Sequence, residues 1–123
     1  DVLLMYAEAC NELGESREAL DKLEMVRARA RRTVHPADMT VGLPEITETG
    51  KEKLREIIWN ERRIELALEG HRFFDLIRAD KVVPGYAEKM MKAHGKTNFS
   101  IAKHATFFIP QKQVDISQGV LKN

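Results

Sequence analysis

What this 123-residue sequence has little of narrows its function before any motif is read. It has one cysteine, Cys10, so it can form no internal disulfide and has no cysteine pair for a zinc site. Cys10 lies in a strongly apolar stretch, where a buried small hydrophobe is its expected role. No apolar run approaches the ~20 residues that a membrane-crossing helix needs. Lys and Arg total 20 against 19 for Asp and Glu, which leaves no overall pull toward nucleic acid. There is no glycine-rich phosphate loop, no Gly-x-Ser-x-Gly elbow and no His-Glu-x-x-His, and His35, His71, His94 and His104 are scattered. We therefore expect no catalytic residue, no cofactor and no metal.

A content of 43% hydrophobic and 32% charged residues suits a globular domain with a real core, and the dominant period is helical. The fold expected is mainly all-α. Residues 2 to 13 form a helix apolar nearly all round, Gly14 ends it, Ser16 can cap the next helix, and Ala19, Leu23 and Val26 line that helix's inner face. Residues 1–32 thus resemble one tetratricopeptide-type hairpin, and such hairpins need about three stacked copies for stability. Residues 33–50, with Pro36, Gly42, Pro44 and Gly50, read as a loop. Residues 51–94 carry a long helix from Lys51 to Glu69, a corner at Gly70, a short helix over 71–79, and a further helix opened by Pro84 and running through Met91. Residues 95–123 read as an extended segment with at most a short strand near Ala105, Phe107 and Ile109.

The long helix carries the main anomaly. Leu54, Ile57, Ile58, Ile64 and Leu68 fall in one apolar arc at ~100° per residue, and Glu61 and Glu65 land in its middle. A buried ionised carboxylate costs several kcal/mol unless a cation meets it, so guanidinium partners are expected, with Arg62, Arg63, Arg72 and Arg78 as candidates. Arg72, Asp75 and Arg78 lie three apart, which lets Asp75 hold both arginines. The basic run Arg27-Ala28-Arg29-Ala30-Arg31-Arg32 closes a predicted helix, where cations complement the helix dipole or meet carboxylates.

The block Glu61-Arg62-Arg63-Ile64-Glu65-Leu66-Ala67-Leu68-Glu69-Gly70-His71-Arg72-Phe73-Phe74-Asp75-Leu76-Ile77-Arg78 resembles the signature of the SusD/RagB family, whose members are surface lipoproteins that capture nutrients, mostly glycans, at the outer membrane of Bacteroidetes. Asp1 to Ala9 resembles the helical segment upstream of that block, and Phe108 to Ile116 the C-terminal segment. The chain departs from the pattern at Gln113, where Glu is usual, and at Ser117-Gln118, where Asn-Pro is usual. The resemblance implies non-catalytic capture of an oligosaccharide, delivery to a SusC-like TonB-dependent transporter, and attachment to the outer membrane only through a lipid anchor that this chain lacks. It also implies that the chain is a C-terminal piece of a longer protein, with Asn123 at or near the natural end.

Ligand residues do not carry over from the family one by one. Sugar binding wants exposed aromatic rings, and Tyr6, Phe73 and Phe74 read as buried by periodicity. This leaves Trp59, Tyr86 and Phe99 as candidates, with Trp59 also placed to pack against a second layer. Two other functions compete with glycan capture: a helical-repeat adaptor that binds a peptide in its groove, which the apolar helix 2 to 13 disfavours, and a hydrolase using Glu61 and Glu65. Paired catalytic carboxylates straddle a cleft, whereas these two share a packing stripe.

Overall fold

A computed structural model describes residues 1–33 and 43–122. Its described residues hold seven helices and no strand: α1 (Val2–Leu13), α2 (Ser16–Thr33), α3 (Lys51–Glu65), α4 (Arg72–Val82), α5 (Tyr86–Ala93), α6 (Ile101–His104) and α7 (Gln111–Ile116). Two compact units form, Asp1–Arg72 and Phe73–Asn123. No helix among the described residues is long and apolar enough to cross a membrane.

In the first unit, α1 and α2 make a hairpin across Gly14. The Glu15 N–H reaches the Cys10 carbonyl at 2.9 Å and the Gly14 N–H the Asn11 carbonyl at 3.1 Å. This bonding closes a helix end when the residue between takes a left-handed backbone, and Gly14 has φ 86°. Leu4, Ala7 and Cys10 of α1, Ala19, Leu23 and Val26 of α2, and Leu54 and Ile58 of α3 are the buried core. Burial pushes the Cys10 thiol up from its ordinary pKa. Ser16 opens α2 as a helical residue, and its hydroxyl donates to the Thr49 carbonyl at 3.1 Å instead of capping.

The expected loop falls partly on residues 34–42, outside the described ones. Its remainder, 43–50, runs without regular structure and is pinned along α2. Arg27 donates to the Pro44 carbonyl, Arg31 to the Leu43 carbonyl, and the Ile46 N–H reaches Glu24.

Taking Leu54 as zero and stepping ~100° per residue, Ile58 falls near 40°, Arg62 near 80°, Arg55 near 100° and Trp59 near 140°. All but Arg55 are buried outright, and Arg55 keeps only 12% of its side-chain exposure. That flank meets α1 through polar pairs in antiparallel order. Arg62 reaches Asp1 at 2.6 Å, the Trp59 indole N–H reaches Glu8 at 2.9 Å, and Arg55 grips Glu12 with two nitrogens, one at 2.8 Å.

Several expectations are corrected here. α3 stops at Glu65 and the chain turns through 66–70, with Leu68 left-handed at φ 68° and fully exposed. Once the helix ends, the 100° step no longer governs Leu68. Ile64, about 80° from Leu54 on the other side, is at the edge of the stripe and is exposed. Val2, Met5, Tyr6 and Leu13 leave part of α1 uncovered, so that helix is buried on fewer sides than its composition implied.

In the second unit, Leu76 and Ala79 of α4 and Ala87 of α5 are buried. Asp80 accepts the Ala87 N–H at 2.8 Å and satisfies one free donor at the start of α5. Glu88 accepts the Ile101 N–H at 3.1 Å, and that bond holds its carboxyl below the usual range. Phe74 is exposed and Phe73 half-buried, contrary to expectation, and Phe73 meets Phe74 and Phe107 at 5.8 and 5.7 Å between ring centroids. The alternating residues near Phe107 form no strand; α6 and α7 flank them.

The Arg55 hydrogen bonds hold the Glu12 carboxyl below its ordinary pKa, with Lys51 assisting against burial. A depressed carboxylate contributes stability that is complete above its unfolded pKa of ~4.3 and is lost as pH falls through the folded value. The difference in urea midpoint between the parent and Glu12→Gln should therefore be largest at neutral pH and close on acidification. A difference independent of pH would refute this coupling.

Candidate functional site

The acidic pair of the signature block sits where α3 faces α2. Glu61 and Glu65 lie about 20° to either side of Leu54 around the helix, so both carboxylates enter the contact. Glu61 accepts from Arg27 at 2.6 Å, and each side chain is only 7% exposed. Glu65, with 20% of its side chain exposed, pairs with Arg29, which is 61% exposed. Arg27 continues to the Pro44 carbonyl at 2.9 Å and lies 3.4 Å from Glu24, which also pairs with Arg31. A guanidinium with several acceptors in a dry contact is the arrangement that a buried carboxylate requires.

The donors therefore come from the basic run of α2. Arg62, expected to serve Glu61 or Glu65, instead holds Asp1, and Arg63 is exposed. Asp75 pairs with Arg78 at 3.3 Å. Arg72 is half-buried at the start of α4, Glu69 is exposed, and Gly70 turns the chain at φ 80°. His71, also exposed, stands 4.0 Å from Glu69. Among the described residues no three or more His, Cys, Asp or Glu side chains come together as a metal site would require.

Of the aromatic candidates, Trp59 takes the packing role and is corrected as a ligand platform. It is 5% exposed and its indole N–H is committed to Glu8, so its ring packs between helices and cannot serve as a platform. Tyr86 is half-buried at the first position of α5. Phe99 is half-buried and stacks on His104, 5.4 Å between centroids and 21° between planes.

Among the described residues, two of the hollows carry aromatic rings. One, of about 320 Å³, lies after α5 and is lined by Met91, Lys96, Thr97, Asn98, Phe99 and His104, together with Gly95. The other, of about 770 Å³, has Tyr6 beside Glu15, Ser16, Arg17, Glu18 and Asp21. There Lys22 stands over the Tyr6 ring at 5.1 Å and bridges to Glu18 at 2.9 Å, so ring and charges are engaged with each other.

The family model described as the SusD family matches residues 1–123. The chain belongs to the SusD family. Curated relatives from Formosa agariphila agree. SusD-like protein P38 is 38% identical over 84 residues, 68% of this chain and 16% of the relative. SusD-like protein P2 is 40% identical over 82 residues, 63% and 15%. SusD-like protein P25 is 41% identical over 78 residues, 63% and 14%. The chain thus spans about a sixth of the length of these relatives. No solved structure matches it.

In this SusD-family chain the residues that sequence reasoning missed are the complements Asp1 just before α1, Glu8 and Glu12 on α1, and Arg55 on α3, while Arg27 and Arg29 on α2 belong to the run read as possible carboxylate partners. A signal existed. Glu8 and Glu12 are acids four apart on an otherwise apolar helix, and Arg55, Trp59 and Arg62 recur at three and four, as one helical flank requires.

Breaking a buried pair leaves an unmatched charge, whereas exposed pairs contribute little. Arg27→Ala or Glu61→Ala should destabilise the protein by ~3 kcal/mol or more, and Arg29→Ala by no more than ~1 kcal/mol, read from denaturant midpoints. Equal small losses would refute the assignment of the Arg27–Glu61 pair.

Proposed function

We propose that this chain is part of a surface protein that binds a nutrient oligosaccharide without changing it chemically and delivers it to a SusC-like TonB-dependent transporter. The observation that carries this reading is the SusD-family match along all 123 residues. In this reading the protein is held at the outer membrane by a lipid anchor, and the first unit serves as scaffold for the surfaces that meet ligand and transporter.

The state of the carboxylates supports binding over hydrolysis. A glycosidase needs one carboxyl free to give up a proton and another free to attack or to activate water across a cleft. Glu61 and Glu65 are instead occupied by Arg27 and Arg29 on one packed helix face. The peptide-adaptor alternative has less support, because the exposed part of α1 presents Val2, Met5 and Leu13 in place of the polar side chains that a peptide groove would use for specificity.

A glycan array probed with the full-length protein, together with chromatography of each bound sugar after release, tests the reading. At least one oligosaccharide should be captured and recovered intact, and Trp59→Phe should lower stability by ~1.5–3 kcal/mol through the lost bond to Glu8 while leaving capture unchanged. Cleavage products, or an array with no binding at all, would overturn it.

A further inference from the structure

Resting on the saccharide-binding reading, we propose that the hollow after α5 is a subsite for an acidic sugar residue, with Phe99 as the platform for the sugar ring and Lys96 as the partner of its carboxylate.

The backbone presents these residues in a fixed arrangement. The Lys96 N–H reaches the Met91 carbonyl at 2.9 Å and the Gly95 N–H the Lys92 carbonyl at 2.9 Å, with Gly95 left-handed at φ 78°. This is the pair of bonds that closes a helix end firmly, so Lys96 leaves α5 at a set angle. At the far end the Phe99 N–H returns to the Lys96 carbonyl at 3.2 Å. The segment 96–99 is a tight turn whose side chains ring the hollow.

The aromatic platform is also set before any ligand arrives. Phe99 lies nearly parallel to His104, and His104 is itself tied to Ser100, whose N–H meets Nδ1 at 3.1 Å. The Ser100 carbonyl oxygen also lies 3.0 Å from Nδ1, so either tautomer of the ring keeps a bond to this residue. A ring already in position loses little freedom on binding. The C–H face of a sugar packs on such a ring as other apolar groups do.

The charge of the lining selects among sugars. Lys96 lines the hollow, no carboxylate does, and Lys96 has no ion pair among the described residues. The nearest acid in sequence on α5, Glu88, is occupied by the Ile101 N–H and by Lys92 at 3.5 Å. An ammonium without a counter-charge beside amide and hydroxyl groups, here Asn98 and Thr97, suits a uronate better than a neutral hexose. A volume of about 320 Å³ is at the small end for ligand sites and fits one sugar unit of a longer chain. The Tyr6 hollow lacks these properties, since Glu15, Glu18 and Asp21 line it against one cation, Arg17, and Lys22 already stands over its ring.

Calorimetry on the full-length protein with trigalacturonate and with the neutral cellotriose is the test. Phe99→Ala should weaken trigalacturonate binding about tenfold, and Phe99→Trp should retain it. Lys96→Gln, at an exposed position that cannot harm the core, should weaken trigalacturonate about fivefold, leave any cellotriose binding as it was, and reduce the salt dependence. Parent-like affinity for trigalacturonate in both Phe99→Ala and Lys96→Gln would overturn the subsite while leaving saccharide binding intact. A parent protein that prefers cellotriose would do the same. A parent that captures no saccharide in the array or the calorimeter would remove the functional reading and the subsite together.

Discussion

The first unit depends on a guanidinium and a carboxylate that share almost no water. Arg27 and Glu61 meet at 2.6 Å with 7% of each side chain exposed, and neither could stay charged there alone. The pair therefore fixes which part of α2 faces which part of α3. The other polar pairs follow from that placement. Between α2 and α3 the partners run in the same direction, 27 with 61 and 29 with 65. Between α1 and α3 they run in opposite directions, 1 with 62, 8 with 59 and 12 with 55. A slip of one turn in either contact would orphan buried charges. Most of these pairs are partly exposed and each contributes little to stability; their collective effect is on register, the role for which buried polar contacts are best attested.

Part of this arrangement is legible in the sequence alone. The helical period, the Gly14 corner, the inner face Ala19-Leu23-Val26 and the inward Glu61 are local consequences of spacing, and each is found where the spacing put it. What spacing could not say was which arginine answers Glu61. Arg62 and Arg63 are adjacent in sequence, yet residues i and i+1 on a helix point about 100° apart, so a neighbour on the same helix is a poor partner. The donor had to come from another helix. Choosing Arg27 requires knowing that α2 and α3 are parallel, which is a tertiary fact.

The misjudged aromatics have a related cause. Periodicity ranks the positions of a helix by face, but it does not say how many faces find cover. Tyr6 and Phe74 lie on apolar arcs and remain exposed, while Trp59, on a flank that carries arginines, is buried because α1 brings carboxylates to match. In the C-terminal stretch the alternation of Ala105, Phe107 and Ile109 imitates a strand, but a strand also needs a neighbour to share its backbone hydrogen bonds. Among the described residues Phe107 meets another ring, Phe73, and the backbone bonds close locally through α6 and α7.

The same physics separates groups spent on packing from groups left available in this chain. Where acids and bases are matched across packed helices, the groups are spent: a carboxylate held by a guanidinium in a dry contact can neither reach a glycosidic bond nor receive a ligand without leaving its partner uncompensated, at a cost of several kcal/mol. Groups available for recognition must lie where no matching charge has been supplied. The second unit has fewer buried residues and no ion pair as buried as Arg27–Glu61 among its described residues, and its turn at 95–99 gathers a lysine, an amide, a hydroxyl and a stacked ring around one hollow. The signature that makes the chain recognisable as a SusD-family member thus marks where the chain is fastened, and recognition chemistry is to be sought in the less regular segments beyond it.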